Sequence, residues 1–422
     1  MQAQASKLLL LAAISMLCIF FSLSAHAETP IHHVSSETCK SCHIEIYKQW
    51  KGSMHAQSSA LEDPIHATFY GMVMGDPTKE GVKSKKGTYP VCLQCHAPNA
   101  AKDKTTKLDA KPAYAEGVNC VACHTLAEYK GTAGEKGKPN LGLKAYVTSD
   151  KLQGPQGFKT KTKDAAKPSG PFNPAELKPN PHLGKPVAFG DQTLSLPMEA
   201  NPGLMKTNKA CMGCHDKRSN MKKVPLCRTG DEYKESATEV TCTSCHMPIA
   251  NGMASHEMGG GHDPSMLKRS VVFSVDSKKD GDKLATVVKM KNKQAHSMPT
   301  GAPFRNLHLK LTAYDADGNV VWENAKGHPG KVDPKAYLML ELLDDTGKRT
   351  SPPMATQLGE DTRLKAYEER VLNYNIPAKN VALVRGELFY SLLWPELSKK
   401  FAEKLPPGLT DPVSIAVSEV NI

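Results

Sequence analysis

Cysteine and histidine recur in this chain in one fixed arrangement, Cys-X-X-Cys-His, which is written five times, at 39–43, 92–96, 120–124, 211–215 and 242–246. Two thiols at this spacing with an imidazole directly behind them form a c-type haem attachment site. The thioether donors would be Cys39 and Cys42, Cys92 and Cys95, Cys120 and Cys123, Cys211 and Cys214, and Cys242 and Cys245. The proximal iron ligands would be His43, His96, His124, His215 and His246. A single copy could be chance or half of a zinc site, but five copies that all end in His leave that alternative little room. The sequence thus predicts five covalently attached haem c groups.

Each iron has a second face. Of the 16 histidines, one (His26) lies in an expected leader and five are proximal, which leaves His32, His33, His55, His66, His182, His256, His262, His296, His308 and His328. Methionine is a possible substitute as a distal ligand. Context selects five histidines. Ile46, Trp50 and Met54 fall at i, i+4, i+8, which predicts an amphipathic helix running from the first motif toward His55. A continuous helix would carry His55 about 18 Å from His43, so His55 would serve a neighbouring haem. His182 follows Pro181 and is the one histidine between His124 and His215. His296 sits in a Pro/Gly turn at 294–301 that would aim it rigidly, and His256 and His262 flank a glycine run soon after the fifth motif. The expected distal ligands are therefore His55, His182, His256, His262 and His296. His32 and His33 could cap a different haem, even one in another subunit. His66 reads as a non-ligand, His308 as solvent-facing on its strand, and His328 stays open.

The elements that must position these residues fall into three stretches. Residues 1–27 read as a signal peptide, with Lys7 before an apolar run and Ala25-His26-Ala27 before the expected cleavage point. No other run reaches the ~18 apolar residues a membrane span requires, so no transmembrane segment is expected after cleavage. Residues 28–264 read as a pentahaem cytochrome region of short helices and loops with little regular structure. Within it, the motifs at 92–124 and 211–246 are close enough to put haem planes in contact within each pair, and 125–210 reads as a long Lys/Gly/Pro-rich loop around the cluster. From 265 to 422 cysteine disappears and alternation takes over. About seven strands separated by turn signals predict an immunoglobulin-like β-sandwich. The fold class is accordingly α+β.

Composition agrees. Hydrophobic residues make up 40% and aromatics only 6% of the 422 residues, a thin core that porphyrins would complete. The net charge of +11 falls to +10 without Lys7. Two propionates per haem bring the holoprotein to about +5 oxidised and about zero reduced, which speaks against a nucleic-acid partner. Cys227 is left over as a free thiol.

The run Ser36-Glu37-Thr38-Cys39 to His43, continued by Trp50-Lys51-Gly52-Ser53-Met54-His55, resembles the multihaem cytochromes c related to the tetrahaem cytochrome of ammonia oxidisers. The segments 116–124 and 242–248 look like later haem sites of that superfamily, and the 296–301 turn followed by Arg305 is similar to members carrying a C-terminal β-domain. The resemblance implies low-potential, mostly bis-histidine haems that pass electrons between partners. Those partners would be other redox proteins, such as quinol-oxidising or outer-membrane cytochromes, or a terminal acceptor, in the periplasm or outside the cell. The reading favours an electron-transfer protein over a catalyst. Two alternatives remain: a reductase of a small nitrogen or sulfur oxyanion at one open haem, and a subunit of an extracellular haem filament. An oligomer is compatible with any of them.

Overall fold

The computed structural model describes residues 29–134, 138–156, 180–190 and 192–422. The expected leader, 1–27, and part of the long loop lie outside them. Short helices dominate before residue 270 and long strands after it.

The attachment motifs ride on helices of four to seven residues: Ser36–Lys40, which carries Cys39, then Leu93–His96, Cys120–His124, Lys209–His215 and Cys242–His246. Such lengths are far below what an isolated helix needs, so packing must hold them. Capping helps. Ser35 Oγ accepts from Glu37 N–H at 3.2 Å, Asn119 Oδ1 from Ala122 N–H at 2.9 Å, and Thr241 Oγ1 from Ser244 N–H at 3.2 Å. The buried apolar residues of this half form several small clusters rather than one core.

The helix after the first motif spans Ile44–Lys51 and stops at Gly52, short of the expected end at His55. Ser53 Oγ donates to the Trp50 carbonyl at 2.7 Å and takes an acceptor the next turn would use. Trp50 is buried, and its indole N–H donates to Val118 O at 2.9 Å. That bond ties the first attachment segment to the third.

The stretch after His124 is more ordered than a plain loop in its described parts. Leu126–Tyr129 pairs with Tyr146–Thr148, Leu152–Gly154 runs parallel to Met198–Ala200, and Val187–Phe189 pairs with Gln192–Leu194. A 3-10 turn at Pro181–Leu183 carries His182.

The C-terminal region holds nine strands: β1 Val271–Asp280, β2 Lys283–Asn292, β3 Asn306–Tyr314, β4 Val320–Glu323, β5 Tyr337–Leu343, β6 Gln357–Asp361, β7 Glu369–Pro377, β8 Leu383–Ser391 and β9 Val413–Asn421. They form an antiparallel three-stranded sheet in the order β1-β2-β7 and a six-stranded sheet, β6-β5-β3-β8-β9, with β4 beside β3. The two sheets share one core that includes Val275, Leu284 and Val288 from the first and Leu309, Leu388 and Ile415 from the second. The molecule is α+β with a large β-rich end. Two strands, β5 and β6, go beyond the expected seven. The run Tyr-Leu-Met-Leu-Glu-Leu-Leu of β5 is buried along most of its length, so it shows no alternation. Ile65 joins the same core, and Phe69 stacks on Phe304 with centroids 5.2 Å apart, so the helix Pro64–Val73 packs onto the β-rich end.

Candidate haem-binding site

The attachment histidines face other histidines across short gaps. Ring centroids are separated by 6.0 Å for His43 and His182, 6.0 Å for His55 and His215, 6.4 Å for His124 and His256, and 6.3 Å for His246 and His296. An imidazole nitrogen binds a first-row metal at about 2.0–2.1 Å, and the ring centre lies roughly 1.1 Å behind it. Two imidazoles on opposite faces of one iron therefore hold their centroids about 6.3 Å apart. The donor set and the spacing fit a bis-histidine haem iron at each of the four sites.

The rings are also oriented by their outer nitrogens. Nδ1 of His124 lies 2.9 Å from Gln153 O, that of His182 2.9 Å from Leu196 O, and that of His246 2.7 Å from Gly259 O. Nδ1 of His256 lies 2.9 Å from Ala254 O and that of His296 3.0 Å from Ser297 O. A carbonyl accepts only from a protonated Nδ1, which leaves Nε2 with its lone pair for a metal. Burial also disfavours the charged form of several attachment and facing histidines. It holds the His55 imidazolium down at about 3, and it lowers His43, His96, His124, His215, His256 and His296 below the usual histidine range.

His96 differs. Its neighbour is His66, with centroids only 4.0 Å apart. Nδ1 of both rings points at one acceptor, Ser58 O, at 3.0 Å for His96 and 2.9 Å for His66. Rings hung from one carbonyl stand side by side and cannot occupy opposite faces of an iron. His66 is nevertheless prepared like a ligand. Its Nε2 is buried without a hydrogen-bond partner, and burial lowers its pKa to about 4. The non-ligand expectation for His66 rested on context alone and gave no hint of this proximity.

His262, expected among the ligands, faces no imidazole among the described residues. It lies near Arg305, and burial lowers its pKa to about 4. A glycine-rich run places it without register, so its sequence neighbourhood could not fix its partner. His308 is not solvent-facing as expected. It stacks on Phe389 at 5.1 Å and approaches His328 at 5.0 Å, with its Nδ1 buried. Its strand is covered on both sides, which defeats an alternation argument. His32 and His33 turn onto Asp103 rather than toward an attachment histidine.

The attachment segments touch in an order that chain spacing did not predict. Cys39 lies beside Cys120, Cys95 beside Cys214 and Cys211 beside Cys242. The first motif thus lies beside the third and the second beside the fourth. Of these three cysteine contacts, only the one between the fourth and fifth motifs joins neighbours in sequence. The link between motifs two and three is itself a packed unit: Ala97, Ala100, Leu108 and Tyr114 are buried in one cluster, and Asn99 Nδ2 donates to Asn119 Oδ1 at 2.8 Å. That bond brings the residues flanking the two motifs together.

His296 is held by charge. Glu232, on the helix Thr229–Glu235, accepts from Ser297 N–H at 3.2 Å, from Thr300 Oγ1 at 2.5 Å and from Arg363 Nη1 at 2.7 Å. Arg363 also pairs with Asp361 at 2.8 Å, and both it and Glu232 are buried. This network ties the turn carrying His296 to the haem region. The backbone carbonyls that set the tautomers, and Arg363, carry no signal in the sequence, because neither depends on a motif.

Five covalent attachment motifs with facing imidazoles, set between short helices and closed by a β-rich end, define a multihaem c-type cytochrome. The family described as "Cytochrome c554 and c-prime" matches residues 38–125. A crystal structure of a penta-heme cytochrome c552 from Thermochromatium tepidum is 57% identical, covers 93% of this chain and 100% of that chain, and superposes with a TM-score of 0.86. A DUF1425 family member from Shewanella sp. pv-4 covers 28% of this chain and 73% of that chain at 15% identity, with a TM-score of 0.16, and carries no argument. No curated protein matches the chain. The chain belongs to the penta-haem cytochromes c and carries five covalently bound haem c groups. No helix among the described residues is long and apolar enough to cross a membrane.

Proposed function

We propose that this protein is an exported electron carrier whose irons at His43, His124, His215 and His246 are closed by His182, His256, His55 and His296. The observation that carries this reading is the set of four imidazole pairs at 6.0–6.4 Å. The ferric–ferrous couple of haem supplies the one-electron chemistry. The chain's own part is to hold two neutral imidazoles rigidly in place, so that few atoms move when the charge changes. Contacts between the attachment segments set the order open to electrons, with the first site beside the third and the second, fourth and fifth in series. Cys123 lies near Cys211 and Cys214, which brings the third site toward the fourth. Export follows from the expected leader at 1–27, and other redox proteins are the expected partners at both ends.

A second reading rests on His96. His66 stands beside it rather than across from it, and among the described residues no other imidazole is paired with it. A small oxyanion could bind there, and the protein would then reduce it. Electron paramagnetic resonance of the oxidised protein tests both readings. Four low-spin ferric signals with one high-spin equivalent that does not respond to nitrite support the carrier. A high-spin signal that shifts with nitrite, together with turnover from a reduced donor, supports the reductase. More than one high-spin equivalent overturns the four-pair assignment.

A further inference from the structure

We propose that His32, His33 and Asp103, with Tyr114 beside them, form a binding site for one divalent transition-metal cation of borderline softness, such as zinc or copper(II). Nε2 of His32 lies 2.7 Å from Asp103 Oδ1, and Nε2 of His33 lies 2.5 Å from Oδ2 of the same carboxylate. One ligand atom from each of the three residues lies within 4.8 Å of the others, and among the described residues no other group of three His, Cys, Asp or Glu donors converges this closely. The Tyr114 hydroxyl stands 3.2 Å from His33 Nε2 and donates to Asp103 Oδ2, which orients the carboxylate. His32 is only 9% exposed.

The convergence is long-range. His32 and His33 occupy a 3-10 turn, Ile31–His33, while Asp103 ends the helix Pro98–Asp103, some seventy positions later. Two imidazoles and a carboxylate suit zinc, copper(II) or nickel, whereas magnesium and calcium prefer all-oxygen sets. Around a tetrahedral cation bound at about 2.0–2.1 Å, neighbouring donors stand roughly 3.3–3.5 Å apart. The present nitrogen–oxygen separations are 2.5 and 2.7 Å, so each donor pair must part by less than about 1 Å. Side-chain rotation on a three-residue turn can supply that. Bound there, the cation would pin the start of the described chain to the helix that follows the second attachment motif. Neither the five haems nor the electron-transfer reading depends on this site.

The test uses the untagged holocytochrome after chelator treatment. Calorimetric titration with zinc chloride, in parallel with magnesium chloride, is expected to show one zinc per chain at micromolar affinity or tighter and no magnesium. X-ray absorption at the zinc edge, which iron does not obscure, is expected to show two imidazoles and oxygen ligands. H33Q and D103N should each weaken zinc binding at least tenfold with haem content unchanged, and zinc should raise the melting temperature of the unaltered protein only. If D103N loses haem, H33Q decides alone, because His33 lies at the edge of the cluster. No saturable zinc binding below 1 mM, or unchanged binding in H33Q, overturns the proposal and leaves Asp103 as a hydrogen-bond bridge between two histidines.

Discussion

In the proposed axial pairs, five of the eight histidines have Nδ1 held by a main-chain carbonyl, as at Leu196 O for His182, which leaves Nε2 for the iron. The carbonyl keeps the ring in one tautomer and adds electron density to the ligand, which favours ferric iron and a low potential. Replacing an imidazole by a thioether removes that donation. His182→Met is expected to leave the iron at His43 low-spin but to raise its potential, with the other four unchanged. A spectroelectrochemical titration resolving five steps checks this. His296→Ala should instead add one high-spin equivalent in electron paramagnetic resonance, because it opens the face opposite His246.

At the scale of elements, very short helices are held by contacts that leave no spare volume. Gly213 lies inside the fourth motif, and a Cβ there would fall 2.1 Å from the Tyr146 ring. The Tyr146 hydroxyl accepts from Gly213 N–H at 2.9 Å and lies 3.0 Å from Lys209 O and 2.9 Å from Ala210 O, so one phenol secures the whole helix. Gly213→Ala is expected to cost about 1–3 kcal/mol through overpacking. Tyr146→Phe removes the hydrogen bonds to Gly213 N–H and to the Lys209 and Ala210 carbonyls and is expected to cost about 1–3 kcal/mol as well. Denaturant titration of both variants, followed by Trp fluorescence and by the haem absorbance, checks these values. A loss below 0.5 kcal/mol in either would refute the view that Tyr146 holds the fourth site.

At the scale of the whole molecule, two of the contacts that join the haem region to the β-rich end differ in character. One is apolar: Ile65 and Phe69 against the β core and Phe304. The other is ionic: Glu232, Arg363 and Asp361, packed beneath the turn that carries His296. Removing one partner of a buried ion pair strands the other, so Arg363→Met should cost about 3–5 kcal/mol and loosen His296 at the same time. The expected readout is a lower melting temperature accompanied by a partial high-spin signal. Acid acts on the same joint. Burial works to raise the Asp361 pKa, but the hydrogen bond and charge of Arg363 outweigh it and hold the carboxyl at about 2, below its ordinary 3.8. A folded pKa below the unfolded one means that this stability is fully present above about pH 5 and is lost as pH falls from about 4 through 2. Melting temperature measured from pH 7 to pH 2.5 should therefore fall less steeply below pH 4 in Asp361→Asn than in the unaltered protein.

Cofactor number and chemistry were legible in the amino-acid order, because thioether attachment needs two cysteines and a histidine within five consecutive residues and no folding to bring them together. Strands with one exposed face were legible for a similar reason: alternation is local, as in β2, with Leu284, Val288 and Met290 inward. The strand β5, covered along most of its length, was not. Context picked out His55, His182, His256 and His296, each of which faces an attachment histidine, but the pairing was out of reach, since it joins residues as far apart as His43 and His182 through loops that carry no register. Tertiary structure alone decided that His66 stands beside His96, that His262 faces no attachment histidine, and that the second motif meets the fourth. A covalent motif is written within a few bonds of chain. An axial pair is a distance across space, and packing sets it.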